Sequence, residues 1–334
     1  MALAVTMGDP AGIGPELLLA AWLARDEQTL PAFYVLADPA MMRARAEMLG
    51  LEVPIAECTP EDAAGRFSAA LPVFALENRA DHGVGAAGPA SPAAVVEAIE
   101  TAVTHIHENR ARGVVTAPIT KKSLYEAGFA YPGHTEFLGA LAERLWPGEP
   151  ADPVMMLAGP DLRTVPVTVH IPISDIPAAW TVDRIASVAR ITARDLKYRF
   201  RISSPRLALA GLNPHAGEGG SIGLEDETVS RKAVEILRAE GIDITGPHPG
   251  DTLFHARARK QYDAALCAYH DQALIPVKTI AFDETVNVTQ GLPFVRTSPD
   301  HGTAFDIAGK GIALPDSLIA AIRLADTLSK GDAA

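Results

Sequence analysis

The chain has 334 residues, with 29 Lys+Arg against 41 Asp+Glu, a formal net charge of −12, and 48% hydrophobic and 21% charged residues. That balance excludes a basic nucleic-acid binder and wholesale disorder, and any anionic substrate then needs a local basic pocket. Cys58 and Cys267 are too few for a disulfide framework or a thiolate zinc site; no apolar run reaches the ~18 residues of a membrane span, the start lacks a signal peptide's basic and long apolar regions, and a cytoplasmic protein of about two domains, without nucleic-acid or membrane partners, is expected.

In chain order, residues 2–6 read as a buried strand, followed by a Gly/Pro turn and a helix near Pro15–Leu23. Residues 33–37 form a second strand, and Asp38-Pro39 opens a helix through Leu49 by capping and Pro at the first turn. A short strand at 72–76 precedes a Gly/Ala-rich loop at 78–90. Ser91-Pro92 caps a long helix that stops near Gly113. Residues 114–118, 153–157 and 163–169 read as strands, and a long amphipathic helix runs from Thr181 to about Phe200. Strand 207–211, a helix from Glu225 to Glu240, strand 264–269 and a last helix from Pro315 complete the alternation. Alternating strands and helices imply a mainly parallel sheet with helices on both faces. Irregular helix spacing and long loops at 78–90 and 213–224 favour an open doubly wound α/β arrangement over a (β/α)8 barrel.

Three histidines share one context. His170, His215 and His270 each lie just past the carboxyl end of a predicted strand, the edge at which α/β sheets bind ligands. Neutral imidazoles bind zinc and similar ions, and three with an open position suit a catalytic site. Taken singly, each is more readily a turn or packing residue. His105 and His107 are too close in sequence for one helix face and read as solvated; His82, His248 and His255 have no role from position. Asp271 follows His270 and could orient it or carry a proton, while Asp251 reads as a ligand-edge carboxylate or a helix N-cap.

Lys278 and Arg296 lie in apolar contexts that call for an anion or an acidic partner; Asn287 lies between them. Lys121-Lys122 reads as a solvated helix start. His134 and Thr135 precede an apolar helical stretch, so Thr135 caps that helix or both residues offer donors to an anion at its N-terminus. The N-terminal GDPAGIGPE, neither a dinucleotide fingerprint nor a P-loop, is a ligand approach or a tight turn. The segment 298–315, dense in Gly, His, Asp and Thr, reads as a ligand loop.

MGDPAGIGPE, GHTEFL, GLNPHAGEGG, GPHPGDTLF, AYHDQALIPVK and the segment 300–311 together resemble the PdxA family of 4-hydroxythreonine-4-phosphate dehydrogenases across essentially the whole chain. HGTAFDIAGKGIA is also similar to the nucleotide loop of isocitrate and isopropylmalate dehydrogenases. The resemblance implies two α/β/α parts with a cleft between them, divided as 1–130 plus 305–334 and 131–304. It implies NAD or NADP oxidation of 4-phosphooxy-L-threonine at C3, with decarboxylation to 3-amino-2-oxopropyl phosphate. It carries a divalent metal, Zn2+, Co2+ or Mg2+, onto His170, His215 and His270, and substrate contacts onto His134, Thr135, Lys278, Asn287 and Arg296. The dinucleotide falls to His301, Gly302, Thr303 and Asp306, and a site shared between subunits implies a homodimer. On chemical grounds Asp271 or a bound water would take the hydroxyl proton, with Lys278 as a second catalytic group. Related readings are a paralogue acting on 4-phospho-D-threonate, 4-phospho-D-erythronate or an aromatic dihydrodiol carboxylate. Readings of another class are a metabolite-binding protein or a phosphate acyltransferase.

Overall fold

A computed structural model describes residues 1–80, 83–86, 91–120, 124, 125, 131 and 133–330; His82, Lys121 and Lys122 lie outside them. The strands are β1 Leu3–Thr6, β2 Phe33–Ala37, β3 Ile55–Glu57, β4 Leu71–Ala75, β5 Val114–Thr116, β6 Val154–Ala158, β7 Arg163–Pro166, β8 Arg206–Ala210, β9 Asp243–His248, β10 Ala264–Cys267, β11 Val286–Gln290 and β12 Arg296–Pro299. The longer helices are α1 Gly14–Leu23, α2 Pro39–Met48, α3 Ser91–His107, α4 His134–Leu145, α5 Val182–Tyr198, α6 Arg231–Ala239, α7 His270–Ile280 and α8 Asp316–Ser329. They divide into two compact units, Met1–Pro153 with Leu292–Ala334, and Val154–Gly291.

In the first unit the strand order is β3-β4-β2-β1-β5-β12, all parallel. Every residue of β1 and β2 is buried, the pattern of strands covered on both faces. Asp38 caps α2 as expected, accepting from Ala40 N at 2.8 Å with Pro39 behind it. His105 is not solvated. It is 3% exposed on α3, hydrogen-bonded through Nδ1 to the Tyr34 hydroxyl at 2.9 Å and edge-on to Phe74. Helix α4 packs on α3, and Gly139 of α4 lies against Pro153. Arg296 of β12 donates to Thr116 of β5. Residues 133–153 and 292–304 therefore belong with this unit, and the expected boundaries at 130/131 and 304/305 move to 153/154 and 291/292.

In the second unit the order is β11-β6-β7-β10-β8-β9. β7, β10, β8 and β9 pair in parallel, but β6 runs antiparallel to both β7 and β11. The β6–β7 link is closed by Gly159 N to Leu162 O at 2.9 Å, far too short for a crossover, so the sheet is mixed rather than uniformly parallel. Its core gathers Leu157, Leu162, Ala208, Tyr262, Cys267, Leu274 and Val277. The expected helix from Glu225 begins instead as a π-helical turn, Asp226–Ser230, before α6. Helix α7 continues through Pro276, the residue that hides it in the sequence.

Candidate active site

The second unit brings two of the three histidines together. β7 and β10 pair in register Thr164↔Ala265 and Pro166↔Cys267, and backbone bonds extend the pairing through Val167 N to Cys267 O and Thr168 N to Ala268 O. The Thr168 hydroxyl also donates to Ala268 O. Both chains leave the sheet at one level. The His170 and His270 rings then stand with centroids 5.6 Å apart, inclined at 40°. His170 adopts a left-handed φ of 54°, a conformation that sterics disfavour outside glycine.

His270 opens α7, and its Nδ1 lies 2.7 Å from Asp271 Oδ1. A carboxylate only accepts, so Nδ1 carries the proton and Nε2 of the neutral ring keeps its lone pair. That is the arrangement by which carboxylates orient imidazole ligands. Lys278 lies eight residues along the same helix, roughly 12 Å on at 1.5 Å per residue, with Nζ 5.4 Å from the Phe282 ring centroid. Asn287 is half-buried on β11 opposite Leu157.

His215 follows β8 but does not join the pair. Among the described residues no group of three or more His, Cys, Asp or Glu side chains forms a metal-binding cluster within one chain. His215 is exposed, with Nδ1 3.6 Å from Glu218 Oε2. It begins a run of five left-handed residues, His215 to Gly219, with φ between 45° and 76°. Each non-glycine member costs about 1–2 kcal/mol against the right-handed form, so the run persists only because its surroundings impose it. Asp251 lies exposed in the first turn of a short helix capped by Pro249, and so is not the N-cap.

In the first unit, His134 and Thr135 are half-buried in the first turn of α4. Gly133 is the N-cap and no side chain caps the helix, so Thr135 does not serve as one. Arg296 is 4% exposed. Its Nε and Nη2 donate to Thr116 Oγ1 at 3.1 and 2.7 Å, and burial pulls its pKa down to about 10, so it stays charged at neutral pH.

The loop after β12 sits on the N-terminal motif, which is a turn and a socket at once. Ile13 N donates to Thr303 O at 3.0 Å, and a Cβ on Gly12 would come within 2.8 Å of that oxygen, so only glycine lets the loop approach. Glu16 Oε2 accepts from Gly309 N at 2.9 Å. Arg45, 1% exposed, donates to Gly12 O and Pro10 O at 2.9 and 2.7 Å and faces Glu16, whose pKa burial raises. His301 Nδ1 lies 2.9 Å from Gly302 O, which can only accept. That leaves Nε2 buried with no hydrogen-bond partner among the described residues, a fit for a polar group of a bound dinucleotide. Gly302 and Asp306 are exposed and Thr303 is half-buried. Glu16 and Arg45, and Asp226 in the second unit, do not stand out in the sequence. Their role is to hold backbone groups distant in sequence, and the Glu of GDPAGIGPE is the only hint.

A family model described as pyridoxal phosphate biosynthetic protein PdxA matches residues 29–325. The 4-hydroxythreonine-4-phosphate dehydrogenase of Methylorubrum populi is 56% identical over 330 residues, 98% of this chain and 94% of that protein. The crystal structure of the 4-hydroxythreonine-4-phosphate dehydrogenase of Klebsiella pneumoniae aligns with a TM-score of 0.86 at 35% identity, covering 98% of this chain and 99% of that one. A terephthalate 1,2-cis-dihydrodiol dehydrogenase from Burkholderia xenovorans aligns with a TM-score of 0.63 at 27% identity, over 98% of each chain.

Proposed function

The chain belongs to the PdxA family of pyridoxal phosphate biosynthetic proteins, and from that membership we propose that it oxidises 4-phosphooxy-L-threonine at its C3 hydroxyl with NAD or NADP. The product, 2-amino-3-oxo-4-phosphooxybutanoate, loses CO2 to give 3-amino-2-oxopropyl phosphate. That the protein is an oxidoreductase follows from the dehydrogenase activity for which its relatives are named. No described helix is long and apolar enough to cross a membrane, in keeping with work in the cytoplasm.

The observation that carries the reading is the close approach of His170 and His270, with Asp271 behind the second ring. His170, His270 and His215 are the ligands for a divalent cation, zinc, cobalt or magnesium, which when bound supplies Lewis acidity at the substrate's C3 oxygen. Two imidazoles meet within one chain and the third does not, so a homodimer completes the set from its second copy. Asp271 fixes the His270 tautomer, and Asp271 or a bound water takes the hydroxyl proton. Lys278 and Arg296 neutralise the phosphate and carboxylate of the substrate within an acidic protein, and Lys278 supports proton transfer. His134, Thr135 and Asn287 add hydrogen bonds that orient it. His301, Gly302, Thr303 and Asp306 hold the dinucleotide that receives the hydride.

The test is a nicotinamide-absorbance assay on chelator-treated protein, with Zn2+, Co2+ or Mg2+ added back and NAD or NADP supplied. Turnover of 4-phosphooxy-L-threonine that returns with the metal and exceeds that of 4-phospho-D-threonate, 4-phospho-D-erythronate and an aromatic cis-dihydrodiol carboxylate is expected. Faster turnover of any rival sinks the named substrate. Full activity without metal sinks the cation.

A further inference from the structure

We infer that Asp226 is a positioning residue whose buried carboxylate, backed by Ser230 and Trp180, holds the loop that presents His215. The inference rests on the reading of His215 as a cation ligand. Asp226 is completely buried in the second unit. Its Oδ1 accepts from Leu212 N and from the Ser230 hydroxyl, both at 2.9 Å, and its Oδ2 accepts from Asn213 N at 2.9 Å. Trp180, 1% exposed, donates its indole N–H to Ser230 Oγ at 3.0 Å. The indole thus fixes the hydroxyl, the hydroxyl fixes one carboxylate oxygen, and the carboxylate fixes two consecutive backbone N–H groups.

Those N–H groups lead straight into the His215 loop. Asn213 O accepts from Ala216 N at 3.0 Å, and the Asn213 amide donates to Glu225 Oε2 at 2.9 Å. Gly211 completes the packing, since a Cβ there would come within 2.7 Å of Ala216 Cα. The left-handed run from His215 to Gly219 is therefore imposed by buried contacts, while the His215 ring remains exposed. Asp226 and Ser230 bound a π-helical turn, a rare distortion that recurs at functional sites; across it the Ser230 hydroxyl meets Asp226, whose carboxylate faces Leu212 N and Asn213 N. An acceptor-only side chain suits this role, because it satisfies backbone donors and offers no competing donor.

The experiment is a Co2+ titration of the chelator-treated full-length protein, followed by its visible d–d absorption, for wild type and the Asp226→Asn, Ser230→Ala and His215→Ala variants, with near-ultraviolet circular dichroism as the folding control. Asp226→Asn replaces one acceptor by a donor facing a backbone N–H. It should weaken Co2+ binding about 10–100-fold, the usual effect of losing a residue that orients a ligand, and shift the bands. Ser230→Ala keeps both carboxylate–backbone bonds, should fold, and should weaken binding several-fold. His215→Ala tests the underlying reading, and wild-type binding by that variant removes it. If His215→Ala is impaired while Asp226→Asn and Ser230→Ala keep wild-type affinity and spectrum, the positioning role is overturned. If Asp226→Asn does not fold, Ser230→Ala decides alone. A lower melting temperature with an unshifted cobalt spectrum marks a purely structural carboxylate and also overturns the inference.

Discussion

Arg45→Met is the sharpest test of how the loop after β12 is held. The guanidinium is buried and donates to Gly12 O and Pro10 O, both in a buried turn. Methionine fills similar space but offers no donor. Two buried carbonyls then lack partners, at about 1–3 kcal/mol each, and Glu16 loses a facing positive charge that offsets its own burial. Together these give about 3–5 kcal/mol, against a typical domain stability of about 5–15 kcal/mol. Glu16→Gln keeps an oxygen for Gly309 N and removes the buried charge, so it should stay within about 1 kcal/mol of wild type. In the double variant no uncompensated carboxylate remains, so Arg45→Met should cost about 1–2 kcal/mol less there than alone. Urea denaturation of the four proteins measures this coupling, and the KM for the dinucleotide, expected to rise in Arg45→Met, reports on the loop. Additivity within about 0.5 kcal/mol would refute the charge coupling; an unchanged dinucleotide KM would separate the socket from the dinucleotide binding proposed for this loop.

Burial holds the His105 imidazole at about 4 instead of 6.5, so the unfolded chain takes up a proton that the folded chain refuses. Its stability contribution is intact above pH 6.5, falls by about 1.4 kcal/mol per unit as pH drops toward 4, and levels off below; a His105→Leu/Tyr34→Phe variant should lose this part of the slope in urea melts from about pH 7 to 4, and an identical slope would contradict the assignment. Arg296→Ala should raise the KM for a phosphorylated substrate about 10–100-fold, as expected for a charge-assisted hydrogen bond, with a smaller change in kcat; a loss confined to kcat would count against a binding role. Thr168→Val removes the hydroxyl bond to Ala268 O that locks β7 to β10 just before the two histidines, so it should cost about 1 kcal/mol and weaken Co2+ binding several-fold; unaltered cobalt affinity would uncouple the strand ends from the ring pair.

Where local chemistry decides an element, the sequence is explicit. Asp38-Pro39 starts α2, and Thr181 starts α5 by accepting from Arg184 N at 3.2 Å. Where pairing decides it, the sequence is silent. β11, VNVTQ, mixes polar with apolar residues and becomes a strand through its antiparallel partner β6. β3 is three partly exposed residues held by β4. Pro276 masks α7, because its missing N–H argues locally against a helix that tertiary packing sustains. His170 and His270 are each legible from their place after a strand. Their contact depends on β7 and β10, far apart in sequence, being neighbours in the sheet, which no local pattern encodes. His105 misleads in the opposite direction: it shares a helix face with the buried Ala98 and Ala102, yet its own polarity argues for solvent, and the packing of α3 sets it against Tyr34.

The two units solve one problem in the same way. Groups proposed to face a ligand sit on loops, whose backbone by itself would sample many conformations. In the first unit Glu16, buried, accepts from Gly309 N and so fixes the loop carrying His301 and Asp306. In the second Asp226, buried, accepts from Leu212 N and Asn213 N and so fixes the loop carrying His215. Each carboxylate stands outside the group it serves and bonds to backbone rather than to the presented side chain. Buried acids normally cost stability; at Asp226 two backbone donors that would otherwise be unsatisfied offset that cost, whereas at Glu16 burial outweighs the single bond from Gly309 N and keeps the pKa raised. Substitutions at such acids should therefore act on affinity through geometry, whereas substitutions at the presented histidines remove the chemistry itself; comparing the two classes separates preorganisation from ligation without reference to any one assay of turnover.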